Sequence, residues 1–332
     1  MSSDEDLVSV IIPAYNAAAT ISETLQCVRA QSHRKLEIIV VDDGSGDATA
    51  RLAAEHAAVD SRIRVISKEN GGVASARNLG AANAMSNKLA FVDADDLWTQ
   101  SKIERQLAVL DRGGPSIGLV YGWSSRINGT GHVTDDTYRP EFAGKVLPQL
   151  AQGNFIGNGS CALVRRRAFE DVGGFEPSLR EAGFEGCEDI LFYCRVAELY
   201  DFAVVPAHLV GYRITPHNMS SDGPRMVQSW LLMVEEILAR NPELAPQLRA
   251  GVGNFAVWVL QRALAMRRVD QVLEILALLV QFDSLLATKV AMSDWPLELL
   301  KAVKRRSPSW LGGAANAKFK SEPRHFMSGD KN

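Results

Sequence analysis

The chain has 332 residues, 46% of them apolar and 23% charged, with 26 Gly and 13 Pro. That is ordinary globular usage over a length that allows about two domains and a full enzyme core, which excludes peptide scaffolds, collagenous repeats and disordered sequence. With 36 basic against 39 acidic residues the formal charge is -3, so no cationic field is on offer to nucleic-acid phosphates and no nucleic-acid partner is expected.

The first thirteen residues are acidic and their apolar run is only a strand long, unlike a signal peptide. Residues 8–12 and 37–41 read as strands covered on both faces. Between them Thr20-Ile21-Ser22-Glu23 is a capping-box pattern, opening a helix that buries Ile21, Leu25 and Val28. A second helix follows Asp47, a short strand covers 63–67, a helix covers 73–85 and a strand covers 88–92. This alternation predicts parallel strands joined by crossover helices. Ser101-Lys102-Ile103-Glu104 is another capping box, starting a helix that Gly113-Gly114-Pro115 stops. Residues 118–121 are strand-like, 124–140 read as a hairpin tip or mobile loop, 160–164 as a strand and 188–199 as a helix. Two short strands, 202–205 and 209–214, follow.

From residue 226 onward strand signals vanish and helical patterns cover 230–239, 252–266, 269–282 and 296–303. The most apolar late run, 275–280, falls well short of the roughly 20 residues a spanning helix needs. Residues 301–332 hold eight basic residues against two acidic ones, a net +6. The reading is a domain over 1–215, a helical domain over 216–306 and a basic, disordered tail over 307–332. That tail is either simply solvated or a peripheral contact with an anionic membrane. Cys27, Cys161, Cys187 and Cys194 lack CxxC spacing and read as packed thiols, and a cytoplasmic location is expected.

Chemistry concentrates where strands end. In an open parallel sheet ligands bind at the carboxyl ends of the strands, so Pro13-Ala14-Tyr15-Asn16 and Asp42-Asp43-Gly44-Ser45-Gly46-Asp47 should face one crevice. The paired carboxylates either cap and turn the chain or include one that accepts from a nucleobase imide or a ribose hydroxyl. No GxGxxG follows the first strand, which weighs against a dinucleotide enzyme. Asn70-Gly71-Gly72 leads into a helix of small residues carrying Arg77, whose fork suits a phosphate or a carboxylate and equally a surface salt bridge. Asp93-Ala94-Asp95-Asp96 sets three carboxylates within four residues. These repel one another unless a cation intervenes, and hard oxygen ligands select magnesium, manganese or calcium; otherwise Asp96 caps the next helix. Glu188-Asp189 lies at a helix N-terminus, where the dipole favours the ionised form, either as a cap or as a base.

In order and spacing, four motifs resemble the family-two glycosyltransferases of the GT-A fold, over roughly residues 7–215. They are Val8-Ser9-Val10-Ile11-Ile12-Pro13-Ala14-Tyr15-Asn16, Glu37-Ile38-Ile39-Val40-Val41-Asp42-Asp43-Gly44-Ser45, the stretch from Asn70 to Gly80, and Asp93-Ala94-Asp95-Asp96. The resemblance implies an α/β architecture: a Rossmann-like mixed, mainly parallel sheet flanked by helices, followed by an α-helical domain. It implies a nucleotide-sugar donor, commonly a UDP-sugar, bound at Pro13, Ala14, Tyr15, Asn16, Asp43, Asn70, Arg77 and Asp93. Asp95 would ligate a divalent metal, Mn2+ or Mg2+, that bridges the diphosphate. Arg213 would touch the diphosphate and His217 the metal. Asp189 would be the general base and Glu188 its orienting neighbour, with Val172-Gly173-Gly174-Phe175-Glu176 as a turn near the acceptor.

The activity so implied is inverting transfer of one sugar to a saccharide, lipid-linked or protein-linked hydroxyl acceptor, in cell-surface polysaccharide or glycoconjugate synthesis. No QxxRW sequence and no spanning helix is found, unlike the processive synthases of that family. Two other readings compete. A sugar nucleotidylyltransferase would begin with a Gly-rich loop ending in a basic residue, which Pro13-Ala14-Tyr15-Asn16 is not. A non-catalytic nucleotide-sugar-binding subunit would keep the fold without the chemistry, and the presence of Asp95 and Asp189 argues against it.

Overall fold

A computed structural model of the chain describes residues 6–184, 186–215, 222–293 and 324–328. The chain begins β1 (Val8–Ala14), α1 (Ile21–Arg29), β2 (Leu36–Asp42), α2 (Thr49–Val59), β3 (Ile63–Ser67), α3 (Val73–Asn83) and β4 (Lys88–Phe91). It continues through β5 (Leu97–Trp98), α4 (Lys102–Arg112), β6 (Ile117–Ile127), β7 (Val133–Asp135) and the short α5 (Leu147–Leu150). Then come β8 (Ala162–Arg165), α6 (Arg166–Asp171), α7 (Ser178–Glu181), α8 (Glu188–Leu199) and β9 (Asp201–Arg213). Four helices follow: α9 (Gly223–Arg240), α10 (Ala245–Ala265), α11 (Val269–Phe282) and α12 (Ser284–Ala291).

Among the described residues nine strands form one sheet in the order β3-β2-β1-β4-β8-β6-β9-β5, with β7 paired to β6. Every residue of β1 and β2 is buried, as strands with helices on both faces must be. Strands β1 to β4 are mutually parallel. The hand-over to the second half is made by β8, which runs antiparallel to both β4 and β6. At the far edge β5 pairs antiparallel with β9, Leu97 opposite Gly211. The segment 92–96 therefore crosses from the centre of the sheet to its far side, above the strand ends.

Several local expectations are corrected. Neither Thr20 nor Ser101 caps its helix with its side chain. The reason is competition: the Thr20 hydroxyl donates to the Ala17 carbonyl, and Glu23 is drawn to Arg213 at 2.7 Å. The loop expected over 124–140 begins later, because β6 continues to Ile127 and only 128–132 form the tip. The two late strands are one, β9, whose register against β6 shifts near Trp123. Pro206, which has no N–H to give, sits in that irregularity and imitates a break in the sequence. Helix α12, not expected, is capped by Asp283 accepting from the Leu286 amide at 2.9 Å. The helix expected over 296–303 lies outside the described residues.

The tail reading from 307 fails at residues 324–328, where Phe326 is buried and its amide donates to the Gly131 carbonyl at 2.9 Å. One hydrophobic cluster runs from Val8 and Ile11 in the sheet through Phe192 of α8 to Met226, Trp230, Leu248, Ile275 and Val290 of the helices. All four thiols are buried and form no disulfide.

Candidate active site

The loops after β1 and β2 are stitched to each other. The Gly46 amide donates to Asn16 Oδ1 at 2.9 Å, the Asn16 amide to Ser45 Oγ at 3.0 Å, and the Asp43 amide to the Ala14 carbonyl at 2.8 Å. Asn16 takes a left-handed conformation, φ 48°, which asparagine tolerates better than most residues. Pro13 and Ala14 end β1, and the Tyr15 ring beyond them is 55% exposed at the rim.

Asp43 is buried and already well served. Its carboxylate accepts from the Gly72 amide at 2.7 Å, the Gly71 amide at 2.9 Å and Lys68 Nζ at 2.7 Å. Asn70 closes the same junction, donating through Nδ2 to the Asp43 carbonyl at 2.8 Å and accepting from Arg180. The glycines thus give their amides to Asp43, at the start of α3, as a helix N-terminus does for an anion.

Arg77, on α3, is the hub. Only 2% exposed, it donates through Nη2 to Asp93 Oδ1 at 2.6 Å and through Nη1 to Glu188 Oε1 at 3.0 Å. Its guanidinium lies 5.0 Å from the centre of the Phe175 ring, which packs on Phe192 at 4.4 Å. Across from it stands Gly159, where a Cβ would overlap Arg77 Nη2. Nε of Arg77 has no hydrogen-bond partner. Despite its burial Arg77 is held firmly protonated, because the charges of Asp93, Glu188 and Asp189 outweigh desolvation. Surface pairing, one reading of this arginine, is ruled out by that burial.

The three carboxylates of the acidic loop have different fates. Asp96 is buried and structural: its carboxylate accepts from Ser160 Oγ at 2.6 Å, Asn158 Nδ2 at 2.5 Å and the Arg213 amide at 2.9 Å. Burial and the neighbouring Asp95 and Asp93 charges push its pKa well up. Asp93 is paired with Arg77, and its amide donates to Ser160 Oγ at 3.0 Å. The side chain of Asp95 accepts no hydrogen bond from another described residue. Burial, and then the charge of Asp93, raise Asp95 to about 6.

Among the described residues no three His, Cys, Asp or Glu side chains gather as a protein cage for a metal. The pair Asp93 and Asp95 nevertheless fits a hard cation of the magnesium type, which takes one or two carboxylates and completes its shell with phosphate and water. A cation there would also offset the burial and the Asp93 charge that together raise the Asp95 carboxyl. His217 lies outside the described residues. Arg213 is placed differently from the expected diphosphate contact: its guanidinium is buried on the carbonyls of Asp95 at 2.6 Å, Gly129 at 2.7 Å and Asn128 at 3.2 Å, and on Glu23.

Glu188 and Asp189 open α8. Glu188 turns to Arg77, while Asp189 accepts from the Ile190 amide at 2.6 Å and from Asn154 Nδ2 at 3.4 Å. The dipole argument for an ionised Asp189 loses to burial: desolvation, reinforced by the Glu188 charge, raises its pKa to about 8. A carboxylate near 8 is a competent base at neutral to mildly alkaline pH. The turn at Gly173 and Gly174 has both residues left-handed, φ 77° and 74°. It is stapled to α3 by Asn78, which accepts from the Phe175 amide at 2.9 Å and donates to its carbonyl at 2.8 Å.

Sequence reasoning therefore located Asp43, Arg77, Asp93, Asp95, Glu188 and Asp189 in one neighbourhood but missed the frame that holds them. That frame is Asn154, Asn158, Gly159 and Ser160, together with Asn78, Phe175 and Glu23, which lie within the motifs read above but whose partners those motifs did not show. A detectable signal existed in Asn158-Gly159-Ser160, a polar triplet placed directly before an apolar strand.

Together, the mixed sheet with acidic loops at its strand ends and the helices that follow define a GT-A fold. Residues 9–173 match the family described as Glycosyl transferase family 2. An aligned stretch of 126 residues is 37% identical to an Escherichia coli protein, UDP-Glc:alpha-D-GlcNAc-diphosphoundecaprenol beta-1,3-glucosyltransferase WfgD, covering 38% of this chain and 48% of that one. The fold is shared with Staphylococcus aureus TarS 1-349, solved in complex with UDP-GlcNAc: TM-score 0.62, 18% identity, 82% of this chain and 80% of that one. It is also shared with the mannosyltransferase PcManGT from Pyrobaculum calidifontis, in complex with GDP-Man and Mn2+: TM-score 0.58, 20% identity, 93% and 86%. The chain belongs to the family-two glycosyltransferases. It spans less than two thirds of the length of the curated relatives it matches, 48% in the E. coli case.

Proposed function

We propose that the protein is a metal-dependent inverting glycosyltransferase that moves one sugar from a nucleotide-sugar, a UDP-sugar first among the candidates, to an acceptor hydroxyl. The observation that carries this reading is the Arg77 bridge: a single buried guanidinium joins Asp93, on the cation side, to Glu188, beside Asp189. It holds two groups at the spacing the rest of the site dictates, before any ligand arrives. Asp189 takes the proton of the acceptor hydroxyl as the oxygen attacks the anomeric carbon from the side opposite the nucleotide, so an α-linked donor yields a β-linkage. Asn154 and the Ile190 amide fix the direction of that carboxylate. Tyr15 and the Asp43 to Gly72 junction line the side on which the nucleotide is to lie. A divalent ion held at Asp95 and Asp93 would balance charge on the leaving diphosphate. No acid need protonate that leaving group, unlike in glycoside hydrolysis.

The acceptor we favour is a lipid-linked saccharide, a class named for the E. coli relative. The division of labour we favour is a donor-binding and catalytic part over 1–215 and acceptor contacts from the helices beyond. No helix among the described residues is long and apolar enough to cross a membrane, so contact with an anionic leaflet would be peripheral, through the basic residues after 300. The central test is release of UDP from a panel of UDP-sugars with and without Mn2+, using wild type and Asp189→Asn. Wild type should turn over with metal, and the variant should bind donor yet lose about 100- to 10,000-fold in rate. Equal turnover by the variant removes Asp189 as the base.

A further inference from the structure

The C-terminal residues 324–328 are not idle. They lie along the outer edge of the β6–β7 hairpin, where His132 and His325 form an antiparallel bridge. The Val133 amide donates to the Arg324 carbonyl at 3.1 Å and the Phe326 amide to the Gly131 carbonyl at 2.9 Å. Gly131, at φ 80°, leaves room that the His325 ring occupies, and the His325 and His132 rings meet edge to face at 5.4 Å. The Phe326 ring covers Gly211 of β9, where an added Cβ would stand 3.0 Å from Cδ1.

These contacts converge on Arg213, two residues beyond Gly211. His325 Nε2 is 3.6 Å from Glu23 Oε1, and Arg213 Nη2 donates to Glu23 Oε2 at 2.7 Å, so one carboxylate links the tail to the arginine. Arg213 also grips the tip of the same hairpin through the Asn128 and Gly129 carbonyls. It also donates through Nε to the Asp95 carbonyl, and its backbone amide donates to the Asp96 carboxylate, the backbone and the anchor of the acidic loop.

From this chain of contacts the geometry points to a positioning role: residues 324–328 form a strap that sets the acidic loop, through Glu23 and Arg213, at the place where a donor diphosphate and its cation are gripped. Phe326 and His325 are positioning residues, touching no reacting atom. The consequence for the donor rests on the glycosyltransferase reading above; the mechanical coupling does not.

Hydrogen exchange on the full chain, on a form lacking 324–332, and on Phe326→Ala and Phe326→Leu tests the coupling, with binding of UDP plus Mn2+ measured on the same proteins. Removal of the strap, or Phe326→Ala, should speed exchange at the Arg213 and Asp96 amides and weaken UDP binding roughly tenfold. Phe326→Leu, which keeps an apolar cover over Gly211, should restore most of both. Faster exchange confined to Val133 and its hairpin neighbours, or an unchanged UDP affinity, overturns the strap. If the shortened form does not fold, the Phe326 pair decides. If the full chain does not bind UDP with Mn2+, the donor reading fails, and the Arg213 and Asp96 amides still judge the coupling.

Discussion

At Asp189 two physical effects pull in opposite directions, and their balance sets a measurable pH dependence. The N-terminus of α8 favours a negative charge by a fraction of a kcal/mol, whereas burial beside Glu188 disfavours it by more, leaving the pKa at about 8. Under the proposed role of Asp189 as the base, which must be unprotonated to act, kcat/KM should climb about tenfold per pH unit below 8 and level above it, and Asp189→Asn should abolish that limb; a flat profile between pH 6 and 8 would contradict this. The sign for folding is opposite. A carboxyl raised in the folded state stabilises it below the ordinary carboxylate range and loses that contribution as pH rises through about 8. Gly159 offers a second test: its Cβ position overlaps Arg77 Nη2, so Gly159→Ala should push the guanidinium off Asp93 and Glu188. Stability should fall by about 1–3 kcal/mol in denaturant titration, with donor binding weakened as well. Residue types at this site were legible from the sequence, but their partners were not. Nothing in Asp93-Ala94-Asp95-Asp96 says that the last carboxylate turns inward to Ser160 and Asn158, more than sixty positions away, while the first pairs with Arg77.

Elements were read well where burial alone decides. The continuous apolar runs of β1 and β2 and the spacing on α11 correspond closely to the structure because packing on two faces, or on one stripe, needs little else. The reading slipped where long-range partners outbid local ones, as when Glu23 leaves its own helix start for Arg213, or where Pro206 imitates a strand end inside β9. Helix α4 shows the same dependence. Lys102, inside the Ser101 to Glu104 pattern that opens this helix, is fully buried with Nζ 3.9 Å from the centre of the Trp98 ring and 2.6 Å from Gln106 Oε1. Burial lowers its pKa to about 7. Between pH 7 and about 10 the unfolded chain binds this proton and the folded one does not, so the lysine's contribution to stability improves as pH rises. Compared by thermal melting, wild type should therefore gain on Lys102→Met from pH 7 to 9; a constant gap between the two would refute the buried, neutral lysine.

On the scale of the whole molecule, the helices after β9 are packed onto the sheet through one apolar cluster and through close backbone contact. Gly251 of α10 meets the Ala151 carbonyl so closely that any Cβ would overlap it. Arg195 of α8 ties the two parts by charge, donating to Glu236 of α9 at 2.7 Å and to Glu176 at 2.8 Å. Gly251→Ala should lower stability by about 1–3 kcal/mol, and sheet and helices should still melt together, since among the described residues one large apolar cluster spans both. Calorimetry with two resolved transitions would contradict that. The crossing of 92–96 from β4 to β5 has a further effect, on the order of assembly. Strands β1 to β4 lie close in sequence and can associate early, but β5 finds its neighbour only when β9 arrives, more than a hundred residues later. During refolding, nucleotide affinity should thus be recovered in the slowest phase, and a nascent polypeptide released before residue 213 should be well coiled yet unable to grip a diphosphate.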